Sequence, residues 1–275
     1  MKKKSAPIVR SSLCYDCRGP HYRLPMKTSP LLTCAILARN VAEHIGPCID
    51  SCRFADEIIV FDTASSDGTQ DRARAAGARV IDTPFVNFSQ ARNFALEHST
   101  GEWVLFVDAD ERVTPELAAE VRDVIRRQDV AGWWVPRYNH IVGHVMKGAG
   151  WYPDYQLRLL RRGRAHYDPR REVHEVAIVD GAEGHLSHHL IHYNYDSWQQ
   201  FHEKQRRYTA YEAATLRHQG VTFHPRHLFV RPLQAFWRRF VVWHGYRDGW
   251  HGLRLSLIMA WYEGLKYWWF WRGGP

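Results

Sequence analysis

Apolar residues in the first half of the chain come in short dense blocks separated by polar, helix-forming stretches. Leu31-Leu32-Thr33-Cys34-Ala35-Ile36-Leu37-Ala38 is a continuous apolar run, which reads as a strand buried on both faces. Arg39-Asn40 ends it, and Ile45, Ile49 and Cys52 then recur at helical spacing. Glu57-Ile58-Ile59-Val60-Phe61 predicts a second strand, residues 70–76 a helix stopped by Gly77, and Arg79-Val80-Ile81 a third strand. After Pro84 the pattern predicts a helix over 89–97. Trp103-Val104-Leu105-Phe106-Val107 is then a buried strand that ends abruptly in Asp108-Ala109-Asp110-Glu111. Thr114-Pro115-Glu116 has the capping hydroxyl and early proline of a helix start. Strands alternating with helices mean βαβ units, so the predicted fold class is α/β, Rossmann-like, with a mostly parallel sheet flanked by helices.

The pattern changes at both ends. Residues 1–29 are basic, dotted with Gly19, Pro20 and Pro25, and without periodicity, which predicts a poorly ordered tail. A polar helix is expected from about Asp196, containing Phe201, Gln205, Tyr208 and Tyr211. The last helix spaces Ile258, Trp261, Tyr262, Leu265, Trp268 and Trp269 along its length. The expected organisation is therefore a tail over 1–29, a catalytic unit over 30–195 and a helical, aromatic-rich extension over 196–275. In that extension Arg231, Arg238 and Arg239 interleave with Phe229, Phe236, Trp237, Phe240 and Trp243. Such a face suits the membrane interface, and it equally suits packing onto the catalytic unit.

Composition sharpens this only in part. The chain has 275 residues, 45% hydrophobic, and a formal net charge of +8, which suits an anionic partner such as nucleotide phosphate, nucleic acid or an anionic membrane. No apolar run reaches about 18 residues, the length of a membrane span. Met1-Lys2-Lys3-Lys4 lacks the apolar stretch of a signal peptide, so a cytoplasmic protein is expected. Five cysteines fit a reducing compartment. Cys14 and Cys17, joined by Cys48 and Cys52, have spacings compatible with zinc, although buried or idle thiols are the simpler reading. His185, His188, His189 and His192 resemble a ligand cluster, but their segment reads as strand.

The candidate chemistry sits at the carboxyl ends of the predicted strands, where α/β sheets gather ligands. Alternation along a strand puts Asp108 and Asp110 on one side, where two carboxylates need a cation between them. Mg²⁺ or Mn²⁺ suits such a pair and takes its other ligands from a substrate phosphate. Asp62 ends a buried strand and needs a hydrogen-bonding partner, which a base or ribose supplies. Ser65-Ser66-Asp67-Gly68-Thr69 has the composition of a turn and helix cap. The absence of Gly-x-Gly-x-x-Gly and of a Walker-type loop argues against a dinucleotide oxidoreductase and a P-loop NTPase.

These segments together resemble the family-2 glycosyltransferases of GT-A fold. The resemblance rests on Ala38-Arg39-Asn40, the run Ala55-Asp56-Glu57-Ile58-Ile59-Val60-Phe61-Asp62, Ser66-Asp67-Gly68-Thr69, Gln90-Ala91-Arg92-Asn93-Phe94-Ala95 and Asp108-Ala109-Asp110-Glu111. Gly150-Trp151-Tyr152-Pro153-Asp154-Tyr155-Gln156-Leu157-Arg158-Leu159 and Val173-His174-Glu175 are similar to the lipopolysaccharide-core branch, which contains glucosyltransferases. The chain departs from the family in having Arg39-Asn40-Val41 where Lys-Asn-Glu is usual, and Arg92 where this branch often has Lys.

The resemblance implies a UDP-sugar donor, UDP-glucose foremost, a glycolipid or lipopolysaccharide-core acceptor, and a divalent metal, Mg²⁺ or Mn²⁺. It implies that Ala38, Asn40, Asp62, Arg92 and Asp108 contact the donor nucleotide, and that Asp110, Asp108 and His174 hold the metal. A guanidinium at Arg92 suits phosphate, although a charge on a helix surface is its plainer reading. Asp154, among Trp151, Tyr152 and Tyr155, is the expected base, with a pKa raised by desolvation. Glu175 is its rival, and Pro153-Asp154 as a mere turn the bland alternative. Direct displacement with inversion follows from that family mechanism, with the enzyme on the cytoplasmic face of the inner membrane. A polyprenyl-phosphate acceptor is a second reading of the same fold, one that more readily predicts a membrane anchor. Nucleic-acid binding is a third, disfavoured because acidic strand ends repel phosphate and the excess of positive charge lies mostly in the last third.

Overall fold

A computed structural model of the chain describes residues 32–170 and 176–274. The expected tail over 1–29, with Cys14 and Cys17, lies outside the described residues, as do His174 and Glu175. Strands β1 (Leu32–Ala38), β2 (Glu57–Asp62), β3 (Arg79–Asp82) and β4 (Trp103–Asp108) are parallel neighbours in the order β3-β2-β1-β4. Helices α1 (Ala42–Ser51), α2 (Thr69–Ala75) and α3 (Phe88–His98) make the crossovers. The apolar run of β1 is explained by burial on both faces. Leu32, Cys34, Ile36 and Ala38 join Ile45, Cys48 and Ile49 of α1, whereas Ala35 joins Ile59, Phe61 and Ala95 on the α3 side.

Beyond β4 the sheet becomes mixed. The chain continues through β5 (Glu111–Val113), α4 (Pro115–Val124), β6 (Val130–Ile141), β7 (His144–Val145), β8 (Asp154–Arg161), β9 (Ala165–His166), β10 (Ile178–Val179), β11 (Ala182–His185) and β12 (Leu190–Tyr195). The sheet reads β3-β2-β1-β4-β8-β6-β12-β5, with β7 and β11 added to β6 and a separate β9–β10 ribbon. Strand β8 is antiparallel to β4 and β6; β12 is parallel to β6 and antiparallel to β5. The start of α4 is as its sequence spells it: the Thr114 hydroxyl accepts the Leu117 N–H at 3.2 Å, and Pro115 is the first helical residue.

Helices α5 (Trp198–His218), α6 (His227–Trp237) and α7 (Gly249–Arg272) form the C-terminal region, with a π-helical segment Arg238–Val242 between the last two. Phe201 of α5 and Leu255 and Tyr262 of α7 pack against Ile141, Met146, Ala149 and Tyr195 at the end of the sheet. One part of the aromatic stripe is therefore core. Another part faces outward: Phe229, Leu233 and Trp237 of α6, and Trp250, Leu257 and Trp261 of α7, are exposed. No described helix is long and apolar enough to cross a membrane.

The loop before β8 is clamped by this region. Ala149 N–H donates to the Trp243 carbonyl at 2.7 Å, and Arg239 Nη1 donates to the Ala149 carbonyl at 2.9 Å. At Gly150, with φ of +81°, a Cβ would stand 2.5 Å from the Trp243 ring; at Gly148 it would meet the His244 carbonyl oxygen at 2.4 Å. Both the left-handed backbone and the close approach demand glycine.

Candidate active site

The carboxyl ends of β1 and β2 form one wall of the site. Asp62, fully buried, pairs in register with Ala38, whose carbonyl accepts the Thr63 N–H at 2.9 Å and the Thr63 hydroxyl at 3.2 Å. Asp62 Oδ2 accepts the Ser65 N–H (2.9 Å) and Gln70 Nε2 (2.8 Å). Its other oxygen, Oδ1, is buried and has no hydrogen-bond partner among the described residues. Such an atom is costly unless a donor reaches it. Asn40, exposed and left-handed (φ 53°), holds the following loop: its Oδ1 accepts the Ser66 N–H and its N–H donates to Ser65 Oγ, both at 2.9 Å. Asp67 accepts from Ala42 N–H and from the Thr69 N–H, each at 3.0 Å, so this loop is the turn its composition suggests, while the cap position of α2 is the left-handed Gly68, with no capping side chain.

At the end of β4 the two aspartates have different partners. Asp108 ends the strand on the face of Val104 and Phe106, but Ala109-Asp110 is a turn, so strand alternation does not carry across to Asp110. Asp108 Oδ1 accepts from Arg92 Nη2 and Arg158 Nη1, each at 3.2 Å, and Oδ2 accepts from Arg158 Nη2. Burial pushes this carboxyl up, but Arg158 and Arg92 outweigh it and hold it far below the usual carboxylate range. Arg92 is only 6% exposed and lies 5.1 Å from the Phe106 ring centre, so it is no ordinary surface charge. Beside Arg92 and Asp108, a cleft of about 110 Å³ is lined by Trp134, Gln156, Arg158 and Tyr167.

Asp154 opens β8 and faces the same cluster. Its Oδ2 accepts from Arg137 Nη2 (2.7 Å), Arg137 Nε (3.0 Å) and Asn139 Nδ2 (2.9 Å), and its Oδ1 from Gln156 Nε2 (2.8 Å). Burial alone would raise its pKa, as the aromatic neighbours led us to expect. The Arg137 charge and the hydrogen bonds from Asn139, Gln156 and Arg137 override it, and the carboxyl lies below its ordinary value. The expectation of a raised pKa is thus reversed.

Glu111 ties the halves together. It is fully buried, accepts the Asp108 N–H at 2.9 Å through Oε2, and accepts Arg137 Nη1 at 2.9 Å and Arg158 Nη2 at 3.5 Å through Oε1. Three carboxylates, Asp108, Glu111 and Asp154, are thereby matched by three guanidiniums, Arg92, Arg137 and Arg158. Such a balanced cluster stays charged inside the fold because every member is paired.

Asp110 has a different neighbour. Its Oδ2 lies 3.5 Å from His192 Nε2, and His192 Nδ1 lies 2.7 Å from Asn139 Oδ1. The remaining histidines of that segment go elsewhere: His188 to Glu120 (2.9 Å), His189 onto the Tyr138 ring (3.9 Å between centroids), His185 beside Trp134. They do not form a ligand cluster. Cys34, Cys48 and Cys52 are buried free thiols in the core. Among the described residues no group of three or more His, Cys, Asp or Glu side chains is arranged to hold a metal. Asp110 with His192 is a two-donor set, which suits a hard cation only if substrate oxygens complete the shell.

The structure thus brings Asp108, Arg92 and Asp154 into one network and sets Asp62 and Asp110 at its edges. Glu111, Arg137 and Asn139 were missed from sequence, and His192 was noted only as one of the histidines of its segment. Glu111 had a visible signal, as an acid directly following the aspartate pair.

The model for "Glycosyl transferase family 2" matches residues 33–177. The lipopolysaccharide core biosynthesis glycosyltransferase LpsC of Rhizobium meliloti (strain 1021) is 30% identical over 159 residues, 56% of this chain and 59% of that protein. Glycosyltransferase SunS of Bacillus phage SPbeta is 33% identical over 108 residues, 36% of this chain and 24% of its own. The chain therefore spans less than two thirds of either relative. Among solved structures, glucosyl-3-phosphoglycerate synthase from Mycobacterium tuberculosis, in complex with Mn²⁺, UDP and glucosyl-3-phosphoglycerate, aligns over 40% of this chain and 44% of its own at 24% identity, with a TM-score of 0.35. A matched segment that runs from β1 past β8 carries Ala38, Asp62, Arg92, Asp108, Asp110 and Asp154 together, and with a mixed sheet flanked by helices in the GT-A manner the chain belongs to glycosyl transferase family 2.

Proposed function

We propose that the protein is an inverting glycosyltransferase that moves a hexose, glucose first among them, from a UDP-sugar to a lipopolysaccharide-core or related glycolipid acceptor. The observation that carries the donor side is the buried, unpartnered Oδ1 of Asp62 at the end of β2. An N–H donor such as the uracil imide satisfies it, with Ala38 and Asn40 lining the same wall. Arg92 and Arg158, fixed by Asp108, present guanidinium edges toward the diphosphate side. The acceptor class is supported by the relationship to LpsC.

Asp110 is the carboxylate left for a divalent cation, Mg²⁺ or Mn²⁺, since Asp108 already accepts two arginines. Such a cation supplies Lewis-acid neutralisation of the leaving diphosphate. Asp154 acts as the base. Its Oδ2 is occupied by three donor contacts, while Oδ1 accepts one and keeps a lone pair for the acceptor hydroxyl. Its lowered pKa keeps it ionised at neutral pH. The hydroxyl oxygen bonds to the anomeric carbon as its proton passes to Asp154, and the bond from that carbon to the diphosphate oxygen breaks on the opposite face. Glu175 is the rival for this role.

The enzyme works at the cytoplasmic face of the inner membrane. Residues 221–275 carry Arg226, Arg231, Arg238, Arg239, Arg247, Arg254, Lys266 and Arg272 against only Asp248 and Glu263. With Phe229 77% and Trp250 76% exposed beside them, this face has the chemistry of an anionic bilayer surface.

The test is release of nucleoside diphosphate from a panel of nucleotide sugars, with Mn²⁺ or Mg²⁺ and with EDTA, for wild type and Asp110→Ala. Metal-dependent turnover of one UDP-sugar, lost in the variant, is expected. A folded protein that neither turns over nor binds UDP in the presence of metal overturns the proposal.

A further inference from the structure

Helices α6 and α7 lie side by side and leave an open groove of about 670 Å³ between them. Leu228, Pro232 and Phe236 of α6 face Leu257, Trp261 and Trp268 of α7 across it, with Ala260 and Gly264 as its floor. The helices meet at that floor, where a Cβ on Gly264 would stand 3.1 Å from the Pro232 ring. No lining side chain is charged, and indole N–H groups are their only polar atoms. A site for a sugar or a nucleotide needs placed donors and acceptors, whereas this one selects for hydrocarbon. At about 1.5 Å per residue the stretch from Leu257 to Trp268 runs about 16 Å. One leaflet of a bilayer's hydrocarbon core is about 15 Å deep.

The mouth of the groove is basic. Arg226, Arg231 and Arg272 stand where the start of α6 meets the end of α7. Arg231 lies 5.9 Å from the Tyr267 ring centre, and Arg272 4.9 Å from that of Trp268. All three are exposed, and none has an acidic partner among the described residues. Set over an aromatic ring, such a side chain keeps its stem on apolar surface and its charge in water. Exposed indoles flank the groove: Trp237 follows Phe236, and Trp271 lies 5.2 Å from Trp268 between ring centroids. Rings of this kind collect at the bilayer interface. A second copy of this chain would bring the same arginines together, so charge turns it away. An anionic amphiphile answers both the apolar floor and the basic mouth.

We propose that the groove between α6 and α7 binds one acyl chain of an anionic phospholipid, whose phosphate meets Arg226, Arg231 and Arg272 at its mouth. The inference rests on the membrane reading above for the source of that lipid. It deepens that reading from attraction to a charged surface to a site that takes a single lipid.

The experiment is calorimetric titration of the full chain with lysophosphatidylglycerol, its chain varied from eight to fourteen carbons, below the concentration at which it forms micelles. Lysophosphatidylcholine of the same chain lengths supplies the uncharged comparison, and phosphatidylglycerol vesicles report the surface. Wild type is expected to bind one lysolipid, about 4-fold tighter for each added CH₂ until the groove is full, and about 10-fold tighter with the anionic headgroup. Ala260→Phe, which fills the floor, should weaken binding at least about 10-fold. Val242→Ser, exposed but outside the groove, should leave it unchanged. Leu257→Gln on the exposed lip serves if Ala260→Phe fails to fold. Arg231→Gln with Arg272→Gln should lower the preference for the anionic headgroup. Vesicle binding without lysolipid binding overturns the site and leaves the membrane reading intact. Lysolipid binding without vesicle binding upholds the site and overturns the membrane reading, and the absence of both overturns both. Unchanged lysolipid affinity in folded Ala260→Phe and Leu257→Gln also overturns the site. So do wild-type dimers that Ala260→Phe dissolves, and so does an acidic amphipathic peptide that binds there more tightly than any lysolipid.

Discussion

Two arginine-rich regions of this molecule use the same side chain in opposite ways. Around the end of β4, Arg92, Arg137 and Arg158 are buried and matched by Asp108, Glu111 and Asp154. Over residues 221–275 eight basic residues, six of them exposed, accompany two acids, and both acids are already engaged: buried Asp248 accepts the Lys147 N–H at 2.8 Å, and Glu263 pairs with the half-buried Lys266 at 2.7 Å. The inner cluster contributes nothing to net charge, and the outer face much of it. Burial decides the difference. Inside, an unpaired charge is expensive and each guanidinium must fix a carboxylate; outside, water tolerates the excess and the field reaches a partner.

The comparison breaks most visibly if one inner guanidinium is removed. Arg158→Met leaves Asp108 and Glu111 short of a partner and is expected to cost about 3–5 kcal/mol in denaturant unfolding. Arg238→Met on the outer face should leave the unfolding midpoint unchanged. Equal effects from both would erase the distinction.

Next in size is the base. Asp154→Asn should lower kcat about 10²- to 10⁴-fold while UDP binding persists, and Glu175→Gln should cost much less. The reverse order assigns the role to Glu175. The pH profile sharpens the same point. The folded pKa of Asp154 is depressed, so its ionised form and its contribution to stability are present above the unfolded value and are lost as pH falls through the folded one. The acid limb of kcat is expected below the ordinary aspartate value of about 3.9. In Arg137→Met burial acts with less opposition, and the limb should move upward.

The smallest effects belong to the outer face. Phe229→Ser, Leu233→Ser and Trp250→Ser combined should reduce co-sedimentation with anionic vesicles about 10-fold, because a helix lying in the interface covers each of these side chains only in part. Binding of the wild type should weaken with added salt, and turnover of a soluble acceptor fragment should be unaffected. Salt-independent binding to neutral vesicles would remove the arginines from the account.

The parallel half of the sheet was legible because strands covered on both faces must be apolar throughout, and their polar ends then stand out. Asp62 and Asp108 were found that way, and Arg92, on α3, through the family resemblance. Strands β6 and β8 were not legible, because Arg137, Asn139 and Asp154 interrupt them with polar residues that point at one another and at His192 of β12 across the sheet. Read singly, each resembles a solvent-facing strand position. Strand alternation does not place Asp110, because the strand stops at Asp108 and a turn follows. The pKa of Asp154 was misjudged because its aromatic neighbours are local, whereas Arg137 arrives from 17 residues away.

Gly148 and Gly150 set a rule for rebuilding this enzyme. A side chain at either position strikes the segment around Trp243, so the loop that leads into Asp154 and the turn between α6 and α7 form one joint. Chimeras that exchange C-terminal halves to change acceptor choice must move residues 148–151 together with 238–245. A seam placed at 196, where the sequence pattern changes, divides that joint between two parents, and the misfit falls four residues before the base.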